Sequence, residues 1–181
     1  MKTTLNKIRE HQPCTSGWEK LLSYLGKTKA DDEPLSLVAI LDSNGLDDAI
    51  WCLRAVAGRD REIRLFAVWC ARQVQHVMTD QRSLDALDVA ERYANGEATE
   101  KEMDAARSAA ADATDWAARA AARAAAADAT DWAARAAARA AARDAREAAW
   151  YAARSARDTA WVEMGQIQEA ELRRICEEVD G

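Results

Sequence analysis

The 181-residue chain carries 25 Lys and Arg against 31 Asp and Glu, a formal net charge of −6, and 49% of its residues are hydrophobic. That length suits one domain, or one domain with an appendage, and the acidic balance excludes the basic footprint of a nucleic-acid-binding protein. Charges interrupt every apolar run before the roughly 18 residues that a membrane span requires, no signal peptide opens the chain, and the four cysteines lack a Cys-x-x-Cys spacing. A cytoplasmic protein with reduced thiols is expected, with no membrane and no direct nucleic-acid contact.

Thr3 to His11 reads as a short helix stopped by Gln12-Pro13. A second runs from Ser16 to Leu25, with Trp18, Leu21, Leu22 and Leu25 at i, i+3, i+4 and i+7, and Gly26 ends it. Gly26-Lys27-Thr28 echoes the end of a phosphate-binding loop, but Leu21 stands where the first glycine is required and no strand precedes it. Pro34 is suited to the first helical position of a helix that reaches Asn44-Gly45. The spacing around Asp42 does not make a calcium loop, because Gly45 falls at the fourth position and no glutamate closes it.

The next helix, Leu46 to Val56, places Asp47 and Asp48 in its first turn and Ile50, Leu53 and Ala57 on one side. Asp60 to Met78 is the most apolar segment. Ile63, Phe66, Cys70, Val74 and Val77 form a stripe that Leu65, Val68 and Trp69 widen, which predicts a central helix packed on two sides. His76 near its end reads as a structural histidine rather than a ligand. A helix over 83–94 carries Leu84, Leu87, Val89 and Ala90 and stops at Asn95-Gly96.

From Thr99 to Trp161 the chain is mostly alanine, and ADATDWAARAAARAAA occurs at 111–126 and again, unchanged, at 127–142. One unbroken helix over 99–161 would be about 95 Å long. Sixteen residues also leave a rotation of about 160°, so Trp116 and Trp132 would face nearly opposite sides of it. Asp112-Ala-Thr-Asp115, Asp128-Ala-Thr-Asp131, Asp144-Ala-Arg-Glu147, Ser155-Ala-Arg-Asp158 and Thr99-Glu-Lys-Glu102 resemble capping boxes. They predict short helices that each carry one of Trp116, Trp132, Trp150 and Trp161. One or two longer helices, with Asp115–Arg119 and Asp131–Arg135 as i, i+4 pairs, are the alternative. With so much alanine, the seven tryptophans are expected to supply much of the buried apolar area. The fold class expected is all-α: a helical bundle over 1–98 that continues into an Ala/Arg/Asp/Trp-rich array of packed antiparallel helices over 99–181, the two forming one continuous domain.

The run from about 35 to 98 and the alanine tract after it resemble a family of bacterial and phage proteins, the immunity proteins of polymorphic toxin systems. The likeness covers about two thirds of the chain and is most specific in Arg64-Leu-Phe-Ala-Val-Trp-Cys-Ala-Arg72 and Ala90-Glu-Arg-Tyr-Ala-Asn-Gly96. The resemblance implies an all-helical, non-enzymatic protein that binds and neutralises a toxin, and it brings no catalytic residues. The residues agree, with two histidines outside any recognisable constellation and no nucleophile motif, metal-ligand spacing or glycine-rich phosphate loop. No cofactor is expected, and the partner is a protein.

A phage-encoded counter-defence protein, for example a CRISPR inhibitor that binds a host defence complex, is the alternative. A structural helical scaffold is the second. The candidate partner-binding residues are Arg119, Arg123, Arg135, Arg139 and Arg143, which recur at i, i+4 and line helix faces, with a plain solvated face as the competing reading.

Overall fold

The computed structural model describes residues 1–78, 80–110, 143–147 and 157–180, and these are all-α but for one pair of two-residue strands. Two compact units are distinguished. The first comprises 1–59 and 169–181, and the second 60–168. The division falls at 59/60 and again at 168/169.

In the first unit, β1 (Lys2–Thr3) pairs antiparallel with β2 (Leu35–Ser36), Lys2 opposite Ser36 and Thr3 opposite Leu35. Helix α1 (Leu5–Glu10) therefore starts later than expected, where the Thr4 side chain accepts from the Lys7 amide. Helix α2 (Thr15–Leu25) ends as expected at Gly26, whose φ of 65° is left-handed. Lys27 N–H bonds the Leu22 carbonyl and Gly26 N–H the Ser23 carbonyl, closing a Schellman motif. Lys27 is occupied by Asp31 and Glu33, each 2.6 Å away, and its hydrogen bond holds the Asp31 carboxyl below the usual carboxylate range.

Pro34 does not open a helix. Leu35 and Ser36 are extended, because they pair with β1, and the Ser36 hydroxyl caps α3 (Leu37–Asn44) by accepting from Val38 N–H. Gly45 separates α3 from α4 (Leu46–Cys52), whose first turn carries Asp47 and Asp48. Asn44 ties these helices to α2, donating to the Gly17 carbonyl (2.9 Å) and to Asp48 Oδ2 (2.8 Å). After Cys52 the chain tightens into a 3₁₀ turn (Leu53–Ala55) and is extended at Val56. Ala57 is therefore exposed rather than in line with Ile50 and Leu53, and Val56 is buried in its place.

Helix α8 (Arg157–Asp180) contributes Leu172, Ile175 and Cys176 to the buried set of the first unit. They join Leu5, Ile8, Leu21, Leu37, Ile40, Ile50 and Leu53. Apolar surface removed from water contributes about 25 cal/mol per Å², so burial of this aliphatic set stabilises the unit.

In the second unit, α5 (Asp60–Arg72) buries Ile63, Phe66, Ala67, Val68, Cys70 and Ala71. It stops short of the expected Met78. Val74 N–H turns to the Ala71 carbonyl, and a 3₁₀ turn (Gln75–Val77) follows. His76 is consequently exposed, not a structural core histidine. Helix α6 (Gln81–Ala94) begins at Asp80, whose side chain accepts from Arg82 N–H; it packs on both α5 and the helix that follows it, and buries Ser83, Ala86, Leu87, Ala90 and Ala94. Gly96 closes it with the same motif as Gly26, Glu97 N–H bonding the Arg92 carbonyl and Gly96 N–H the Tyr93 carbonyl.

Helix α7 (Glu100–Ala110) opens with a full capping box: Glu102 N–H bonds Thr99 Oγ1, and Glu102 Oε2 accepts from Thr99 N–H at 2.8 Å. Residues 143–147 are helical from Arg143 onward, so Asp144, buried within that turn, does not start a helix. Trp116, Trp132 and Trp150 and both copies of the duplicated segment lie outside the described residues. The described tryptophans, Trp18, Trp51, Trp69 and Trp161, are half-buried, so the cores are built instead from Leu, Ile, Phe, Met and Ala. Among the described residues no helix is long and apolar enough to cross a membrane.

Candidate partner-binding surface

The charged surface of the second unit is organised by how α5 meets α6. Arg61 in the first turn of α5 donates to Asn95 at the end of α6 (2.8 Å), and Arg64 lies over the Tyr93 ring at 5.3 Å. Arg72, the last residue of α5, reaches back along α6 to Asp88 and Glu91. The two helices therefore run antiparallel, with their polar edges laced together. Small residues on the buried face of α6 bring the backbones close, so long Arg side chains on the outer edge span the seam.

Arg72 is the hub. Its Nη2 donates to Asp88 Oδ1 at 2.9 Å and also to Glu91, its Nε reaches Glu91 Oε2 at 3.1 Å, and its Nη1 contacts Gln75 Oε1 at 3.2 Å. Burial works against the charge, and the hydrogen bonds to Asp88 and Glu91 more than offset it, so the guanidinium is held more firmly protonated than usual. One turn on, Arg92 donates to the Glu97 carbonyl (3.0 Å) and lies 3.4 Å from Glu102. Its reach fixes the α6–α7 connection against the start of α7.

These side chains border an open depression of about 420 Å³ lined by Arg72, Asp88, Glu91, Arg92, Asn95 and Glu97. Three carboxylates face two guanidiniums, leaving an excess of one negative charge. Asp88 remains 67% and Glu91 45% exposed although both are paired, so each keeps lone pairs open to an incoming donor. Asp85, exposed one turn earlier, extends the acidic row along α6. The arrangement offers fixed acceptors and a few donors in a concave setting.

Of the arginines proposed from sequence, Arg119, Arg123, Arg135 and Arg139 lie outside the described residues. Arg143 is exposed, with Nη2 3.4 Å from Asp144 Oδ1 and Nε 3.8 Å from Glu147. The depression was missed in the sequence because α6 was read for its apolar side. Its exposed acids at 85, 88 and 91 recur every three residues, and that spacing was the available signal. Four of the six lining residues, Arg72, Glu91, Arg92 and Asn95, fall in the two stretches that carry the family resemblance.

Among the described residues no group of three or more His, Cys, Asp or Glu side chains is placed to hold a metal. Cys14 is exposed, whereas Cys52, Cys70 and Cys176 are buried. Burial pushes the Cys52 thiol up to about 12 and that of Cys176 to about 11, far from the thiolate a nucleophile needs. No family model, curated protein or solved structure matches the chain.

Proposed function

We propose that this chain is a non-enzymatic, protein-binding inhibitor of the immunity type, which neutralises a partner toxin by covering it with the α5–α6 face. The observation that carries the reading is the meeting of two separated stretches, 64–72 and 90–96, around one polar depression. A preformed, hydrogen-bonded set of charges gives an interface specificity and a fast encounter more than raw affinity. It also lowers the ordering cost of binding, because the side chains are already held. The exposed acids favour a basic partner.

The same acidic row supports the counter-defence reading, in which Asp85, Asp88 and Glu91 compete with nucleic acid for a basic groove of a host complex. Co-purification from the native host separates the two. Wild-type chain and an Asp88→Lys/Glu91→Lys variant of equal melting temperature are compared. The immunity reading expects one partner protein, lost with the variant, whose toxicity the wild-type chain suppresses in cells and the variant does not. Recovery of a nucleic-acid-binding complex, displaced by added nucleic acid, would favour counter-defence. A partner that is retained fully by the variant would remove this face from the account.

A further inference from the structure

Two asparagines precede a glycine at a helix end, Asn44-Gly45 after α3 and Asn95-Gly96 after α6. Glycine leaves its backbone nitrogen unshielded, so that nitrogen can attack the amide carbon of the preceding asparagine side chain. The two sites are held differently. Asn44 is half-buried and engaged at both ends of its amide. Its Oδ1 accepts from the Ser43 hydroxyl at 2.7 Å, and its Nδ2 donates to the Gly17 carbonyl at 2.9 Å and to Asp48 Oδ2 at 2.8 Å. Asn95 is exposed, and its Oδ1 accepts from the exposed Arg61 at 2.8 Å. Its Nδ2, the group that leaves in such an attack, has no partner among the described residues. The Gly45 and Gly96 amides are both bonded, to the Leu41 and Tyr93 carbonyls, so either reaction waits on a local opening. Such an opening costs little at an exposed helix end. The products differ as well. A carboxylate at 44 would meet Asp48 and the Gly17 carbonyl, all acceptors, whereas one at 95 would meet the Arg61 guanidinium.

We propose that Asn95 is a self-modification site, where a neutral residue lining the depression becomes a carboxylate by spontaneous loss of ammonia, while Asn44 is retained. The Gly96 nitrogen gives its proton to solvent base and bonds to Asn95 Cγ. The Cγ–Nδ2 bond breaks, and Nδ2 takes a proton from solvent and leaves as ammonia. Water then opens the cyclic imide at either carbonyl. One opening yields an aspartate, and the other reroutes the backbone through Cγ as an isoaspartyl link. Nothing is oxidised or reduced. Either product adds one negative charge among the lining residues, beside Glu97. The isoaspartyl form also lengthens the backbone where Glu97 N–H bonds the Arg92 carbonyl, which undoes that closure of α6. The chemistry is independent of the toxin-binding reading, so failure of either leaves the other standing.

Timed incubation of the full chain in warm, mildly alkaline buffer, followed by peptide mass spectrometry, tests it. Ammonia loss at Asn95 is expected to run at least about tenfold faster than at Asn44, which must first break two more side-chain hydrogen bonds, one of them to a carboxylate. In strong denaturant those bonds are gone and the dipeptide is the same, so the two rates are expected to converge to within about threefold. Native rates within about twofold of each other, or a faster Asn44, would overturn the proposal, because the hydrogen bonds would then set no difference in barrier. An Asn95 that stays intact in the folded chain while it converts in denaturant would overturn it too. So would a native gap that persists undiminished in denaturant, since the neighbouring sequence, rather than the fold, would then be its cause.

Discussion

The core of the first unit and the α5–α6–α7 layers of the second solve the same packing problem with different side chains. The first is closed by Leu5, Ile8, Leu37, Ile40 and Ile50, large aliphatic groups on short helices of six to eight residues, and by Leu53 in the 3₁₀ turn. In the second, α6 presents Ser83, Ala86, Ala90 and Ala94 around the single large Leu87, and the bulk comes from α5 through Ile63, Phe66 and Val68. A small-residue face brings two helices close but removes less apolar area per residue. Polar lacing across the outer edge accompanies it, with Arg61, Arg64 and Arg72 all crossing to α6. The lesson is that close approach, rather than a charge pattern on either helix alone, builds the proposed binding face.

Truncating either core should break the comparison most severely. Phe66→Ala removes the largest fully buried side chain among the described residues and is expected to cost about 3–5 kcal/mol, with Ile40→Ala at about 2–5 kcal/mol, both read from chemical denaturation. The sharper contrast is enlargement. Ala90→Leu should lose about 1–3 kcal/mol by forcing α5 and α6 apart, whereas Leu53→Met in the first unit should cost less than about 1.5 kcal/mol. If Ala90→Leu is neutral, the two helices are not in close contact and the explanation of the arginine lacing fails.

Smaller effects probe the ends of the layers. Thr99→Ala should cost about 1 kcal/mol by deleting half of the α7 capping box. The Thr99 amide, followed by the Thr99 hydroxyl, holds the Glu102 carboxyl below the ordinary glutamate value. A depressed folded value means that this contribution is present above the ordinary value and is lost as the pH falls through the depressed one. Thermal melts of Glu102→Gln against wild type should therefore differ near neutrality and converge on acidification. Arg72→Gln should change stability least, by under about 1 kcal/mol, because exposed pairs contribute little.

Much of this architecture was legible in the sequence. Gly26, Gly45 and Gly96 terminate helices where left-handed backbone or a chain reversal is required, and the 63–66–70–74 stripe is buried as its period implied. What was not legible has specific causes. Pro34 satisfied a local rule for helix starts, but pairing of Leu35 with Thr3, far off in sequence, fixed an extended conformation. The tryptophans were expected in the core by size, yet the four described ones are half-buried, as Trp51 is beneath Arg54 at 4.2 Å. The site itself depends on Arg72 and Glu91 meeting across two helices. No period along either helix encodes that meeting.

The most direct test of the central claim is the association rate of the purified chain with its co-purified partner, measured across a salt series for wild type and for Asp88→Asn/Glu91→Gln. Asn and Gln keep size and hydrogen bonding while removing two charges. The account predicts that the wild-type rate falls steeply with ionic strength, and that the variant associates at least about tenfold more slowly at low salt with a flatter dependence. Coincident rates and slopes for the two proteins, at equal melting temperature, would contradict it.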